Sequence, residues 1–245
     1  MAAGIERAKK SQQAGVKPSF KRRLVKWTMG ICAAVVLTPV LLTILYTVVN
    51  PVSTLMLGRY LSGETVERKF RPLSDISTNL QRAVVVSEDS QYCQHEGIDW
   101  LAIKAQLDNL FEGEKPRGAS TITMQLAKNL FLWNDRDYAR KALEAPLALL
   151  LDMVLSKRRI FEIYLNTVEW GEGVFGIEAA TQKYFGKSAE SLSKTQASLL
   201  ATALPNPVIR NPSRPGSGHR RLASINRSRT QVAGTVLDCL NKPKQ

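Results

Sequence analysis

Residues 27–58 contain no charged side chain, and within them residues 28–49 form an apolar run interrupted only by Thr, Gly30 and Pro39. At about 1.5 Å of rise per residue, a helix over that run crosses the hydrocarbon of a bilayer. Trp27 and Tyr46 stand where interfacial aromatics belong. Residues 1–26 hold eight Lys/Arg against Glu6 alone, an excess that places this end in the cytoplasm. A cleaved signal peptide would have a shorter apolar region and an A-x-A after it, and neither is present. The expected organisation is a basic cytoplasmic tail over 1–26, a transmembrane anchor over 27–50 and an extracytoplasmic domain over 51–245. Pro39 bends such a helix without preventing insertion. The expected location is the cytoplasmic (inner) membrane, crossed once.

The chain has 245 residues, a formal net charge of +13 and 44% hydrophobic residues, which suits one globular domain plus an appendage. Residues 59–245 carry 26 Lys/Arg and 20 Asp/Glu, so the exported part keeps a net +6. An exported basic surface suits an anionic partner such as lipid headgroups, a phosphate-bearing lipid or an anionic polymer. Nucleic acid would need that surface inside the cell, so it is not expected as a partner. Cys32, Cys93 and Cys239 show no CxxC or CxxH spacing, and His95 and His219 are the only histidines. A disulfide framework and a zinc site are therefore not expected.

Helical periodicity dominates the exported part, and strand signals are scarce, so the fold class is mostly α. Residues 75–96 read as one helix ended by Gly97. Asp99 caps a helix on which Trp100, Ile103, Leu107 and Leu110 share a face. Ser120 is the expected cap of a segment running to Leu130, and residues 138–155 are apolar on most sides, which suggests a buried central helix bent by Pro146. Ser193 and Gln196 form a capping box before 197–204, which Pro205 stops. Leu222, Ile225, Val232 and Val236 suggest a last helix.

Several polar residues have no use in a plain helical core. On a helix, Glu88, Tyr92 and His95 would share a face, and a carboxylate at the rim of an apolar wall has the raised pKa that a general acid or base needs. On spacing alone, an exposed Glu before a core histidine is the simpler account. Residues 118–129 put Gly118, Ser120 and Thr121 at a helix start, where free N–H groups meet an anion, with Lys128 two turns on; ordinary capping is the rival account. Arg140 and Lys141 lie beside Glu144 at i, i+4 and i, i+3, a spacing usually worth little on a surface. Lys157 to Asn166 is a fourth polar stretch, otherwise a solvated basic helix start.

In this order the stretches resemble the peptidoglycan glycosyltransferases, specifically the monofunctional biosynthetic transglycosylases. Glu88-Asp89, Tyr92, His95 and Gly97 are similar to the family's first motif. Residues 118–129 match its Gly-x-Ser-Thr-Ile-Thr-x-Gln with a following Lys-Asn. Arg140, Lys141 and Glu144 match Arg-Lys-x-x-Glu; Lys157, Ile160, Glu162, Tyr164 and Asn166 match the fourth motif, and residues 196–207 the last. Tyr92 stands where Phe is usual, and Met124 replaces the first of two glutamines. Ser191 and Lys194 fit SxxK, but no SDN or KTG accompanies them, so no transpeptidase is expected.

The resemblance implies a lysozyme-like helical glycosyltransferase domain that joins a growing glycan chain to lipid II and releases undecaprenyl pyrophosphate. It implies Glu88 as catalytic base, Glu144 as a second catalytic carboxylate, and Asp89, Ser120, Thr121, Gln125, Lys128, Asn129, Arg140 and Lys141 as substrate-binding residues. Glu144 would orient Lys128, Arg140 and Lys141 or else hold a divalent cation such as Mg2+, the one cofactor the resemblance suggests. Expected partners are lipid II, the glycan chain, membrane lipid and other proteins of wall synthesis. Residues 98–112 are expected to dip into the outer leaflet, with Phe131, Leu132 and Trp133 as weaker candidates. A lytic transglycosylase shares one Glu but has no pyrophosphate to meet the cations, and a non-enzymatic wall-binding module would tolerate loss of Glu88.

Overall fold

The computed structural model describes residues 20–114, 118–133 and 137–241, so the reading of residues 1–19 lies outside the described part. The chain separates into two compact units, Met1–Leu41 and Leu42–Gln245. The first holds most of helix α1 (Phe20–Leu45), which contains Pro39 and is long and apolar enough to cross a membrane. α1 begins before Trp27 and takes in Lys21, Arg22, Arg23 and Lys26 from the expected tail. The second unit begins at Leu42, and Thr43 and Tyr46 are buried in it.

Nine more helices follow among the described residues. They are α2 (Thr54–Leu61), α3 (Thr78–Glu88), α4 (Trp100–Phe111), α5 (Ile122–Phe131), α6 (Tyr138–Val154), α7 (Lys157–Thr167), α8 (Ile177–Phe185), α9 (Lys194–Ala203) and α10 (Ser217–Val232). β1 (Glu67–Arg68), β2 (Glu169–Gly171) and β3 (Val174–Phe175) make a small sheet in the order β1-β3-β2, parallel between β1 and β3 and antiparallel between β2 and β3. The fold is mostly α, as expected.

α7 is the central helix, with Ile160, Phe161, Ile163, Tyr164 and Leu165 all fully buried. α6 is not. It buries Arg140, Glu144, Ala148 and Leu151, a single stripe at helical spacing, and leaves Leu143 and Met153 exposed. A long apolar run shows that a helix has partners without showing how many of its sides they cover. α3, α9 and α10 pack together, while α5 packs on α6 and α7. The Ser193–Gln196 capping box and the Asp99 cap are both formed. The last helix turns the other way from expectation: His219, Ala223 and Asn226 are buried, whereas Leu222, Ile225 and Val232 are exposed and Val236 lies beyond it.

The helix expected over 75–96 stops at Glu88. Asp89 leaves helical geometry at φ −161° and ψ 74°. Its side chain, which is buried, accepts the Ile122 N–H at 2.9 Å and meets His95 Nε2 at 2.9 Å, bonds that a continuing helix could not make. Glu88, Tyr92 and His95 therefore do not share a helix face. Gly97 closes the loop at φ +79°, where a Cβ would come within 2.9 Å of the Ala148 carbonyl oxygen, so this close approach to α6 requires glycine.

Cys93 and Cys239 form a disulfide, contrary to the sequence reading, which their irregular spacing misled. The bond joins the loop after Glu88 to a 3-10 turn at Asp238–Leu240. Its residues are 146 apart, and only folding makes them neighbours.

Candidate active site

Glu88 ends α3, where the preceding Leu80, Ala83, Val84 and Val85 bury the helix face and bring the carboxylate to the edge of the core. Its Oε2 accepts the Gln125 amide at 3.1 Å and its Oε1 accepts the Ser87 hydroxyl at 3.2 Å. Gln125 is itself held, since its Oε1 accepts the Tyr164 hydroxyl at 2.9 Å. Burial pushes the Glu88 carboxyl above its ordinary value; the bonds from Gln125 and Ser87 oppose that, the charge of Asp89 adds to it and Arg210 opposes it, and the net direction is up. A carboxylate so placed takes up a proton more readily than one in water.

A cavity of about 240 Å³ joins the first two sequence motifs, with Glu88, Asp89, Gly118, Ser120 and Thr121 along its lining. Thr121, not Ser120, caps α5: its hydroxyl accepts the Met124 N–H at 3.1 Å and donates to the Gly97 carbonyl at 2.6 Å. Ser120 is thereby left facing the third motif, where its hydroxyl accepts from Lys141 Nζ at 2.6 Å. Lys141 also meets Glu144 Oε2 at 2.6 Å, and Arg140 pairs with Glu144 Oε1. Arg140 and Glu144 are buried, whereas the Lys141 side chain is 44% exposed. The trio carries one net positive charge, and Lys141 is its accessible member.

Lys128 and Asn129, one turn beyond Gln125 on α5, line a separate cavity of about 640 Å³ with Arg59, Glu64, Phe131 and Trp133. Asp89 is turned into the protein, with His95 and the Ile122 N–H on its carboxylate. The fourth motif forms a supporting layer: Lys157 pairs with Asp152 at 2.7 Å, Glu162 accepts the Leu73 N–H at 2.9 Å, and Asn166 bridges to Arg71. Both departures from the family pattern are buried. Tyr92 donates its hydroxyl to the Lys157 carbonyl at 2.8 Å, and Met124 packs in the core.

Glu144 does not fit a resident cation. Two basic side chains already occupy its oxygens, and among the described residues no group of three or more Asp, Glu, His or Cys side chains could hold a metal.

Arg229 was missed by the sequence reading. It sits near the end of α10, over a hundred residues from Glu88 and Thr121, yet lines the cavity they share. The signal was available: residues 191–237 contain seven Lys/Arg and no Asp/Glu. Two of the seven, Arg210 and Arg229, bear on Glu88, one through its field and one through the shared cavity.

The transglycosylase family profile matches residues 55–233. The chain is 46% identical to the biosynthetic peptidoglycan transglycosylase of Rhizobium leguminosarum bv. trifolii over 89% of its own length and 95% of that protein's. It is 47% identical to the protein of that name from Brucella suis, over 86% and 96% of the two chains. With the Nitrobacter winogradskyi protein of that name the identity is 49%, over 86% and 94%.

Proposed function

The chain belongs to the transglycosylase family, as a peptidoglycan glycosyltransferase, and from that premise we propose that it polymerises lipid II into glycan strands with release of undecaprenyl pyrophosphate. The observation that carries the reading is the Glu88 carboxylate, raised by burial and aimed by Gln125, in one cavity with the α5 start and Arg229.

In this reaction Glu88 takes the proton from the 4-hydroxyl of the acceptor sugar as that oxygen attacks the anomeric carbon of the donor, with inversion. The bond to the pyrophosphate breaks, and negative charge collects on the leaving group. Lys141 is the cation best placed to reach it, and Lys128 meets it from the neighbouring cavity. Arg140 holds Glu144, which shares its other oxygen with Lys141; both act by positioning. Gln125 keeps the base aimed, Ser120 aligns Lys141, and Arg229 supplies positive charge on the far wall, where an anionic acceptor lipid would lie.

The proposed topology keeps the N-terminus in the cytoplasm and the domain outside, in contact with membrane lipid and wall-synthesis proteins. The disulfide supports that side, since such bonds persist in oxidising compartments. α4 supports the proposed dip of residues 98–112: Ile98 is buried and Ile103 packs on the core, while Trp100, Leu101 and Phe111 are 60%, 82% and 86% exposed.

Incubating the detergent-solubilised full chain with lipid II tests the reading. Polymer that disappears with Glu88→Gln supports it; shortening of preformed glycan strands would make the protein lytic, and no change in either substrate would leave a binding module.

A further inference from the structure

We propose that the Cys93–Cys239 bond positions the catalytic cavity, by fastening the segment after α10, and with it Arg229, to the loop that follows Glu88. The inference rests on the reading that Glu88 and Arg229 face substrate across their shared cavity.

The two ends of the bond differ in how firmly they are held. Cys93 lies in a loop pinned elsewhere: Asp89 to His95 at 2.9 Å, the Tyr92 hydroxyl to the Lys157 carbonyl at 2.8 Å, and Lys157 Nζ to the His95 carbonyl at 2.6 Å. Cys239 lies in the segment 233–240, which side chains hold to the domain near its two ends. Arg82 donates to the Ala233 carbonyl, Arg158 donates to the Leu240 carbonyl at 3.2 Å, and Leu237 and Leu240 are buried. The loop is the fixed post and the segment is what the bond ties to it.

The link from the segment to the cavity is short. The Ala233 N–H donates to the Arg229 carbonyl at 3.2 Å, so the first residue of the segment closes the last turn of α10, the turn that carries Arg229. Between loop and segment lies a void of about 450 Å³, lined by Ser90, Gln91, Cys93, Arg229, Val232 and Val236. Side chains that do not interlock across a gap leave its width loosely set. A covalent bond across it sets that width, and one of its walls is the turn bearing Arg229. When the bond breaks, that turn frays and Arg229 loses its fixed distance from Glu88.

The test is a cycle in the full-length protein in detergent, on a Cys32→Ser background because Cys32 is a free thiol. Lipid II polymerisation is measured with the bond intact, with the bond absent in Cys93→Ser/Cys239→Ser, and with each form also carrying Arg229→Ala. A parallel arm reduces the bonded protein with dithiothreitol, which closes to its cyclic disulfide as the protein gains two electrons and two protons and becomes a dithiol. The expected result is a fall in kcat/KM of roughly tenfold without the bond, with the helical circular dichroism retained. Arg229→Ala is expected to cost about tenfold or more in the bonded protein and no more than about twofold without it, the non-additivity of two changes acting through one element.

Losses that simply multiply would make the bond a staple with no share in the site, and would overturn the proposal. So would unchanged activity without the bond, a bonded Arg229→Ala enzyme with full activity, or helical signal lost in both the serine variant and the reduced protein. Failure of the Glu88 assignment shows separately, as full turnover in Glu88→Gln, and leaves the cycle readable.

Discussion

Gln125 donates its side-chain amide to Glu88 across 3.1 Å and accepts the Tyr164 hydroxyl with its other end, so the orientation of the carboxylate is set from the buried centre of the domain. The hydroxyl of Tyr164 is pushed well above its usual value by burial, so it stays a donor at any working pH. Replacing Glu88 with Gln keeps the shape and removes the base. Polymerisation should fall roughly 10²–10⁴-fold, with no loss of thermal stability. Activity within tenfold of the parent would end the base assignment.

The same carboxyl has a stability consequence. Its folded pKa is raised, so the protonated form is favoured in the native state; that contribution is fully present below the unfolded value and is lost as pH rises through the folded one. Glu88→Gln should therefore unfold at a higher temperature than the parent at neutral pH, and the difference should close on acidification. The acid limb of kcat/KM should lie above the ordinary glutamate range. Gln125→Ala removes a bond that favours the charged form, so that limb should move further up in a pH–rate profile.

Lys141→Ala and Arg140→Ala should part company. Lys141 is half-exposed, and its loss should cut turnover while leaving the melting temperature nearly unchanged. Arg140 is buried against Glu144, and removing it leaves that buried carboxylate with the half-exposed Lys141 alone, at a cost of up to about 3–5 kcal/mol, so stability and turnover should fall together. Paired melting curves and rates decide it; equal melting temperatures would contradict the burial argument.

Leu110→Ser with Phe111→Ser removes two exposed apolar side chains from α4. Polymerisation of lipid II embedded in vesicles should drop several-fold, with detergent-dispersed substrate little affected. Equal losses in both media would show that these residues serve the fold.

Most helices were legible because spacing and caps declare them: Asp99, Ser193 and Gln196 act as read. The errors arose where a side chain's partner is remote in sequence. Asp89 ends α3 by reaching Ile122 and His95, Thr121 displaces Ser120 as a cap because Gly97 also engages it, and Cys93 finds Cys239 only after folding. The first three motifs named the polar residues around Glu88 and Glu144, but periodicity could not show that both Glu144 oxygens are taken by cations. Arg229 lies outside every motif, and its approach to Glu88 depends on how α10 crosses α3.

The separation of 146 residues between Cys93 and Cys239 also fixes an order of events during synthesis. Cys93 leaves the ribosome long before its partner exists, so each nascent chain carries an unmatched sulfhydryl through most of its elongation. A product truncated between these two positions, whether by a premature stop or by proteolysis, keeps that sulfhydryl permanently. It would be open to mixed-disulfide capture, which would mark unfinished molecules by a second reactive thiol beside Cys32.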